Sequence, residues 1–201
     1  MAHISSIGAG MFSDLAVAMP AAELSAAALA ALDTATEFQA LFATEIDTQG
    51  GTKAANTFVR IKNVREFPSM GTPPNVVNVP TYGSKTSRQI QGQADAPSME
   101  ITLNYVPADW AKDGASPTLL GSAVGDGIQR VFRFTLMNAA PTATGATAYS
   151  STAGGLGTVQ NSQYYWIGKL EALQVNPQLT DANTATITIT VQSDFYGAYT
   201  I

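Results

Sequence analysis

From Thr184 to Gln192 the chain alternates without a break. Thr184, Thr186, Thr188, Thr190 and Gln192 fall on one side, and Ala185, Ile187, Ile189 and Val191 on the other. Only a β-strand sends successive side chains to opposite faces, so this run demands a strand with one apolar and one polar face. The same period recurs over residues 98–106, where Met99, Ile101, Leu103 and Tyr105 oppose Glu100, Thr102 and Asn104. Residues 58–65 set Val59 and Ile61 against Arg60 and Lys62, and residues 163–175 put Tyr165, Ile167, Leu173 and Val175 on one side. A further strand reads over 127–137, around Val131, Phe132, Phe134 and Leu136. Six or seven such segments predict a mainly β fold, a sandwich or partly closed barrel with one or two short helices. The 201 residues suffice to bury a core without a disulfide or a metal.

Residues 1–15 show no period, and residues 20–32 are alanine-rich with Pro20 and Glu23 suited to a helical first turn. Residues 1–35 therefore read as an arm, and 36–201 as the β domain. Residues 36–47 carry two readings. Phe38, Leu41 and Phe42 fit a helix behind a Thr34–Glu37 capping box. Phe38, Ala40, Phe42, Thr44 and Ile46 also alternate with Glu37, Gln39 and Glu45, as a strand would. Ser116-Pro117 starts a short helix over 118–124. Residues 139–162, rich in Gly, Ala, Ser and Thr, read as a mobile surface loop or weak hairpin. The aromatic tail, residues 195–201, is expected to dock on a neighbour. Residues 68–97 hold Pro68, Gly71, Pro73, Pro74, Pro80, Gly83, Gly92 and Pro97, a loop of a length that is normally functional or disordered.

Little here supports catalysis. There is no cysteine, so no disulfide and no thiolate metal site. His3 is the one histidine, which excludes a histidine-based triad and a multi-histidine metal centre. No phosphate-binding loop occurs, and Gly8-Ala-Gly10 and Gly154-Gly-Leu-Gly157 lack the strand-then-helix context such loops need. Asp109 and Asp113 beside Trp110 read as a solvated loop. The expectation is a protein without catalytic residues, cofactor or metal. Ten Lys and Arg against 15 Asp and Glu give a charge of −5, the wrong sign for gripping phosphates. Arg60, Lys62 and Arg65 with Tyr82, Lys85 and Arg88 are accordingly read as subunit contacts rather than a nucleic-acid site. The apolar run at 15–32 is too interrupted for a signal peptide or membrane span, so the chain is expected to be made and retained in a cytoplasm without membrane insertion. Only 12% of residues are charged, about half the usual share, so much of the surface is made of uncharged polar groups or is buried against other subunits.

Residues 57–106 resemble the major tail tube proteins of long-tailed bacteriophages. The matching pieces are the strand Thr57-Phe-Val-Arg-Ile-Lys-Asn-Val-Arg-Glu-Phe-Pro68, the loop with Val77-Asn-Val-Pro80, and Glu100-Ile-Thr-Leu-Asn-Tyr-Val-Pro107. The order that follows, a short helix near Thr118 and three strands, is similar too, and the likeness runs over about residues 36–195. The inner tubes of contractile injection machines share that architecture. The resemblance implies a sandwich with a helix at its side, six copies joining their sheets into a ring, and rings stacking through a long loop between the second and third strands. It tips residues 36–47 toward a strand. Partners would be copies of the chain itself and other tail proteins at the tube ends, with DNA transiting the lumen unbound, in the tail of a virion. The alternatives are a capsid decoration or tail-terminator subunit, a pilin-like or adhesin sandwich, and a hydrolase on a β scaffold.

Under this resemblance the stacking loop 68–97 would contact the next ring through Met70, Val77, Val79, Tyr82, Lys85 and Arg88. The threonine stripe at 184–192 reads by itself as the wet face of an antiparallel sheet or as the polar wall of a channel. In such a tube the polar strand faces would line the lumen, through Glu100, Thr102, Asn104, Thr186, Thr188 and Thr190. If Arg60 and Lys62 share that face, Glu100 or Glu171 is expected to neutralise them across strands.

Overall fold

The structure, a computed structural model, describes residues 12–71, 76–83, 85–92, 98–112, 114–151, 155–156 and 161–200. His3, Gly8, Gly10, Asp113, Gly154 and Gly157 lie outside these residues. The unbroken alternation becomes strand β10 (Thr184–Val191), with every apolar member buried. It lies between β9 (Ser162–Asn176) and β7 (Ser98–Asn104) in one sheet. The remaining strands are β1 (Asp14–Ala18), β2 (Thr44–Glu45), β3 (Thr57–Arg60), β4 (Val64–Glu66) and β8 (Arg130–Leu136). Their order is β2-β3-β1-β8-β9-β10-β7-β4, and β11 (Tyr196–Thr200) adds to β9. A separate hairpin pairs β5 (Val76–Val79) with β6 (Arg88–Gln91). Helices α1 (Ala26–Ala30), α2 (Ala35–Ala40), α3 (Pro107–Trp110) and α4 (Leu119–Ala123) are short. The fold is mainly β, as the periodicities require.

The two expected walls are parts of a single curled sheet. Its last strand β4 and the strand next to its other end, β3, are consecutive in the chain and joined by residues 61–63, where Asn63 takes a left-handed turn at φ 62°, a conformation asparagine tolerates. Inside the curl, Leu15, Val17, Val59, Met99, Ile101, Leu103, Phe132, Trp166, Ile187 and Ile189 form one core, closed at the side by Trp110 and Leu120 of α3 and α4. The ladder itself does not close into a barrel. Strand β9 is long enough to serve both walls. Its first half pairs with β8, and its second half with β10. The changeover falls at Gly168, where a Cβ would meet the Thr190 carbonyl oxygen at 2.8 Å.

A second layer covers the outside of β1, β3, β8 and the first half of β9. Leu29, Phe38 and Phe42 pack there on Ala16, Ala18, Phe58, Val131 and Tyr165, and Phe38 stacks on Tyr165 with ring centroids 5.0 Å apart. Strands buried on both faces carry no alternation. That is why Asp14-Leu-Ala-Val-Ala18, buried at all five positions, is a central strand although residues 1–35 read as an arm. Residues 36–47 are corrected toward the helix. Thr34 Oγ1 accepts from the Glu37 amide at 3.4 Å, and Glu37 Oε2 accepts from the Thr34 amide at 3.1 Å. This capping box, with Phe38 and Phe42 one turn apart and both buried, outweighs the alternation and leaves β2 only two residues.

Other boundaries shift for local reasons. The 20–32 helix begins only at Ala26, after its cap Ser25, which leaves Pro20 and Glu23 outside it rather than in its first turn. The 118–124 helix is capped by Thr118, whose hydroxyl accepts from the Gly121 amide at 3.0 Å. Residues 58–65 break at Asn63 into β3 and β4. The loop 68–97 lies between β4 and β7 rather than second and third strands, since β1 and β2 precede it. The aromatic tail docks on its own chain. Tyr196 and Tyr199 of β11 pack against Phe38 and Tyr165.

Candidate assembly surfaces

The candidate lumen residues lie together. In the β7–β10 register Glu100 faces Thr188, Thr102 faces Thr186, and Asn104 faces Thr184. Their apolar neighbours, Ile101 opposite Ile187 and Leu103 opposite Ala185, are fully buried in the core. Strand β9 widens the same face, with Gln174 opposite Thr186, Ala172 opposite Thr188 and Lys169 opposite Thr190. A bulge after Thr188 brings Glu171 onto it, and the Thr190 hydroxyl donates to Glu171 Oε1 at 2.9 Å. The result is a polar wall of four strands, β9-β10-β7-β4.

Both flanks of this wall are open. Strand β8 pairs with β9 only as far as Gly168, and β10 and β11 occupy the other edge of β9. Beyond Gly168 the free edge of β9 meets one backbone partner among the described residues, the Gly125 amide at the Leu170 carbonyl, 2.8 Å. At the far side, among the described residues, β4 pairs with β7 alone. A row of unpaired backbone groups on a strand edge is a template for another strand.

Arg60 is not on the wall. Its Nε donates to Asp14 Oδ1 at 2.5 Å, and its guanidinium lies 3.3 Å from the centroid of the Tyr149 ring. The expected neutralisation by Glu100 or Glu171 does not occur. Arg60, Lys62 and Arg65 do share one open cleft of about 600 Å³, but with Asp14 and Glu66 beside them, so it is not a basic patch. Asp14 also accepts from Arg133 Nη2 at 3.4 Å, and Arg133 donates to the Tyr149 carbonyl at 2.7 Å while facing the rings of Phe42 and Phe58. Burial works against the Arg133 charge and Asp14 supports it. Nothing in the sequence flagged this buried pair, because Arg133 sits in a strand covered on both faces. At the rim of the cluster burial pushes the Glu45 carboxyl up, with Arg60 opposing.

The hairpin β5–β6 carries most of the expected stacking residues. Val77 pairs with Ile90 and Val79 with Arg88, so these four share one face. Val76, Val77, Val79 and Ile90 are all exposed, and Tyr82 in the turn is fully so. Lys85 and Arg88 are exposed. Met70 departs from the expectation: it lies before the hairpin, half-buried against the chain's own core. Ile90 was missed, though its spacing from Arg88 placed it on the same face. Asp109 accepts from the Thr48 hydroxyl at 2.9 Å. Among the described residues no group of three or more His, Cys, Asp or Glu could hold a metal ion, and no helix is long and apolar enough to cross a membrane.

No family model and no curated protein matches the chain. Among solved structures it is similar to the sheath/tube terminator of an extracellular contractile injection system, PVC, in the extended state. The identity is 14% and the TM-score 0.40, covering 67% of this chain and 84% of that one. A sheath-tube complex of the same system gives 13% and 0.35, over 67% and 79%.

Proposed function

We propose that the chain is a non-enzymatic structural subunit that joins copies of itself into rings and stacks the rings into a tube, the tail tube of a long-tailed phage or of a related injection machine. The observation that carries this reading is the four-stranded wall with two open edges. Along β9-β10-β7-β4 each neighbour is antiparallel to the last. The free edge of β4 therefore runs antiparallel to the free edge of β9 on the next copy, and pairing them continues the sheet without a change of sense. Such a contact is head-to-tail, and head-to-tail contacts generate closed rings when the rotation closes. Six copies is the order the resemblance implies.

In that ring the face opposite the core is the inner wall. Threonines dominate it; Glu66 of β4 lies opposite Thr102 with Arg65 next to it, and Glu66, Glu100 and Glu171 outnumber Arg65 and Lys169. Such a wall is hydrated and slightly acidic, and repels phosphates rather than holding them, which suits a conduit through which DNA slides. The exposed hairpin, with its uncovered valines, is the element for contact between rings. Negative-stain imaging of the purified protein tests the reading. Long tubes with a regular axial repeat support it. Closed rings that never stack would favour a terminator subunit, and a monomer at all concentrations would refute it.

A further inference from the structure

The β5–β6 hairpin pairs with no other strand of its chain among the described residues. One of its faces presents Val77, Val79, Ile90 and Arg88. Between residues 76 and 91 the charges are Lys85 and Arg88, both basic, in a chain whose net charge is −5. The hairpin is thus an amphipathic cationic ribbon with an uncovered apolar face. Exposed apolar surface of this kind marks an interaction site.

A surface of matching character lies at the other end of the sequence. Residues 20–52 contain Glu23, Asp33, Glu37, Glu45 and Asp47 and no Lys or Arg. Helix α1 buries Leu29 and turns Ala26, Ala27, Ala28 and Ala30 outward. Beside it a cleft of about 90 Å³ is lined by Met19, Pro20, Leu24, Ile128 and Val131, together with Glu23 and Lys53. Arg130 also lines it but is held by Asp126 at 2.5 Å. A dry cavity of about 150 Å³ takes a benzene ring. This cleft therefore suits a branched aliphatic side chain and not the ring of Tyr82.

We propose that the hairpin of one copy docks on the α1–α2 side of a second copy, with Ile90 entering the cleft at Met19, Leu24 and Ile128 and its partner Val77 at the rim. Lys85 and Arg88 then face Glu23, Asp33 and Glu37. Complementary charges of this kind steer the encounter and fix its register. This rests on the self-assembly reading above and names the surface that receives the hairpin.

The chain has no cysteine, so introduced thiols report on one contact alone. Chains carrying Ile90→Cys are mixed with chains carrying Ala22→Cys under assembly conditions and oxidised. The expected result is a mixed disulfide dimer in the assembled fraction, absent when Leu179→Cys replaces Ala22→Cys. In a second arm, Lys85→Glu with Arg88→Glu abolishes stacking, as does Glu23→Lys with Asp33→Lys, and mixing the two altered chains restores it. All four side chains are exposed, and circular dichroism confirms that each variant folds. If tubes form but neither the cross-link nor the restoration is seen, the docking surface is wrong while the tube reading stands. If the unaltered chain never assembles, the tube reading falls and this inference with it.

Discussion

Asp14 on β1 and Arg133 on β8 meet inside the protein, 3.4 Å apart, with 2% and 0% of their side chains exposed. Asp14 holds Arg60 at 2.5 Å as well, so a single carboxylate serves two cations. Removing it by Asp14→Ala leaves Arg133 buried without a counter-charge. Breaking one side of a buried pair costs about 3–5 kcal/mol. Urea unfolding should show a loss of that size. Arg133→Met in the Asp14→Ala background should recover part of it. A loss no larger than that of an exposed pair would show that Arg133 does not depend on Asp14.

Glu45 adds a pH dependence of definite sign. Burial raises its carboxyl above the ordinary 4.5, against the pull of Arg60. The folded state therefore binds the proton more tightly than the unfolded state does, and this group's contribution to stability falls as pH rises from about 4.5 through the folded value. Glu45→Gln should remove that slope. Stability measured from pH 4 to 7 should show the variant gaining on the wild type with rising pH and converging with it at the acid end. A variant that loses ground as pH rises would mean that attraction to Arg60 outweighs burial.

The capping box on α2 is worth testing because two readings met there. Thr34→Ala should cost about 1 kcal/mol, seen as a lower midpoint in thermal or urea unfolding. Unchanged stability would mean that Phe38 and Phe42 alone hold the helix in place.

That helix also shows where the sequence was legible. The half-exposed strands β7 and β10 announce themselves by alternation, because one side of each meets water. Strand β1 does not, since its outward face is covered by Leu29, Phe38 and Phe42. At residues 36–47 both periods were present, and local capping decided between them. The polar wall was readable for the same reason as β10. The open edge of β9 was not, because it depends on where β8 stops, and no residue of β9 encodes that.

The hairpin stands apart from the core. Replacing residues 71–91 by a short Gly-Ser linker removes β5 and β6 but no member of the curled sheet. The shortened chain should keep its thermal midpoint and stay monomeric where the full chain assembles, as analytical ultracentrifugation would report. Long tubes from the shortened chain would show that stacking uses another element.

The polar wall carries the last expectation. Thr186, Thr188 and Thr190 share the face opposite the core. Replacing all three with lysine leaves Ile187, Ile189 and Val191 packed, so the subunit should fold. The wall beside Glu100 and Glu171 would then be strongly basic. In a ring the added charges repeat with every copy, and each lysine that neutralises a phosphate releases a counterion, so attraction to DNA grows steeply as salt falls. Particles built with this chain should form normal tubes yet eject DNA slowly at low salt, recovering as ionic strength rises. A rate that stays low at all salts would point to misassembly. Normal ejection at low salt would mean that this face does not line the channel, and the outer surface of the tube would then be where these threonines belong.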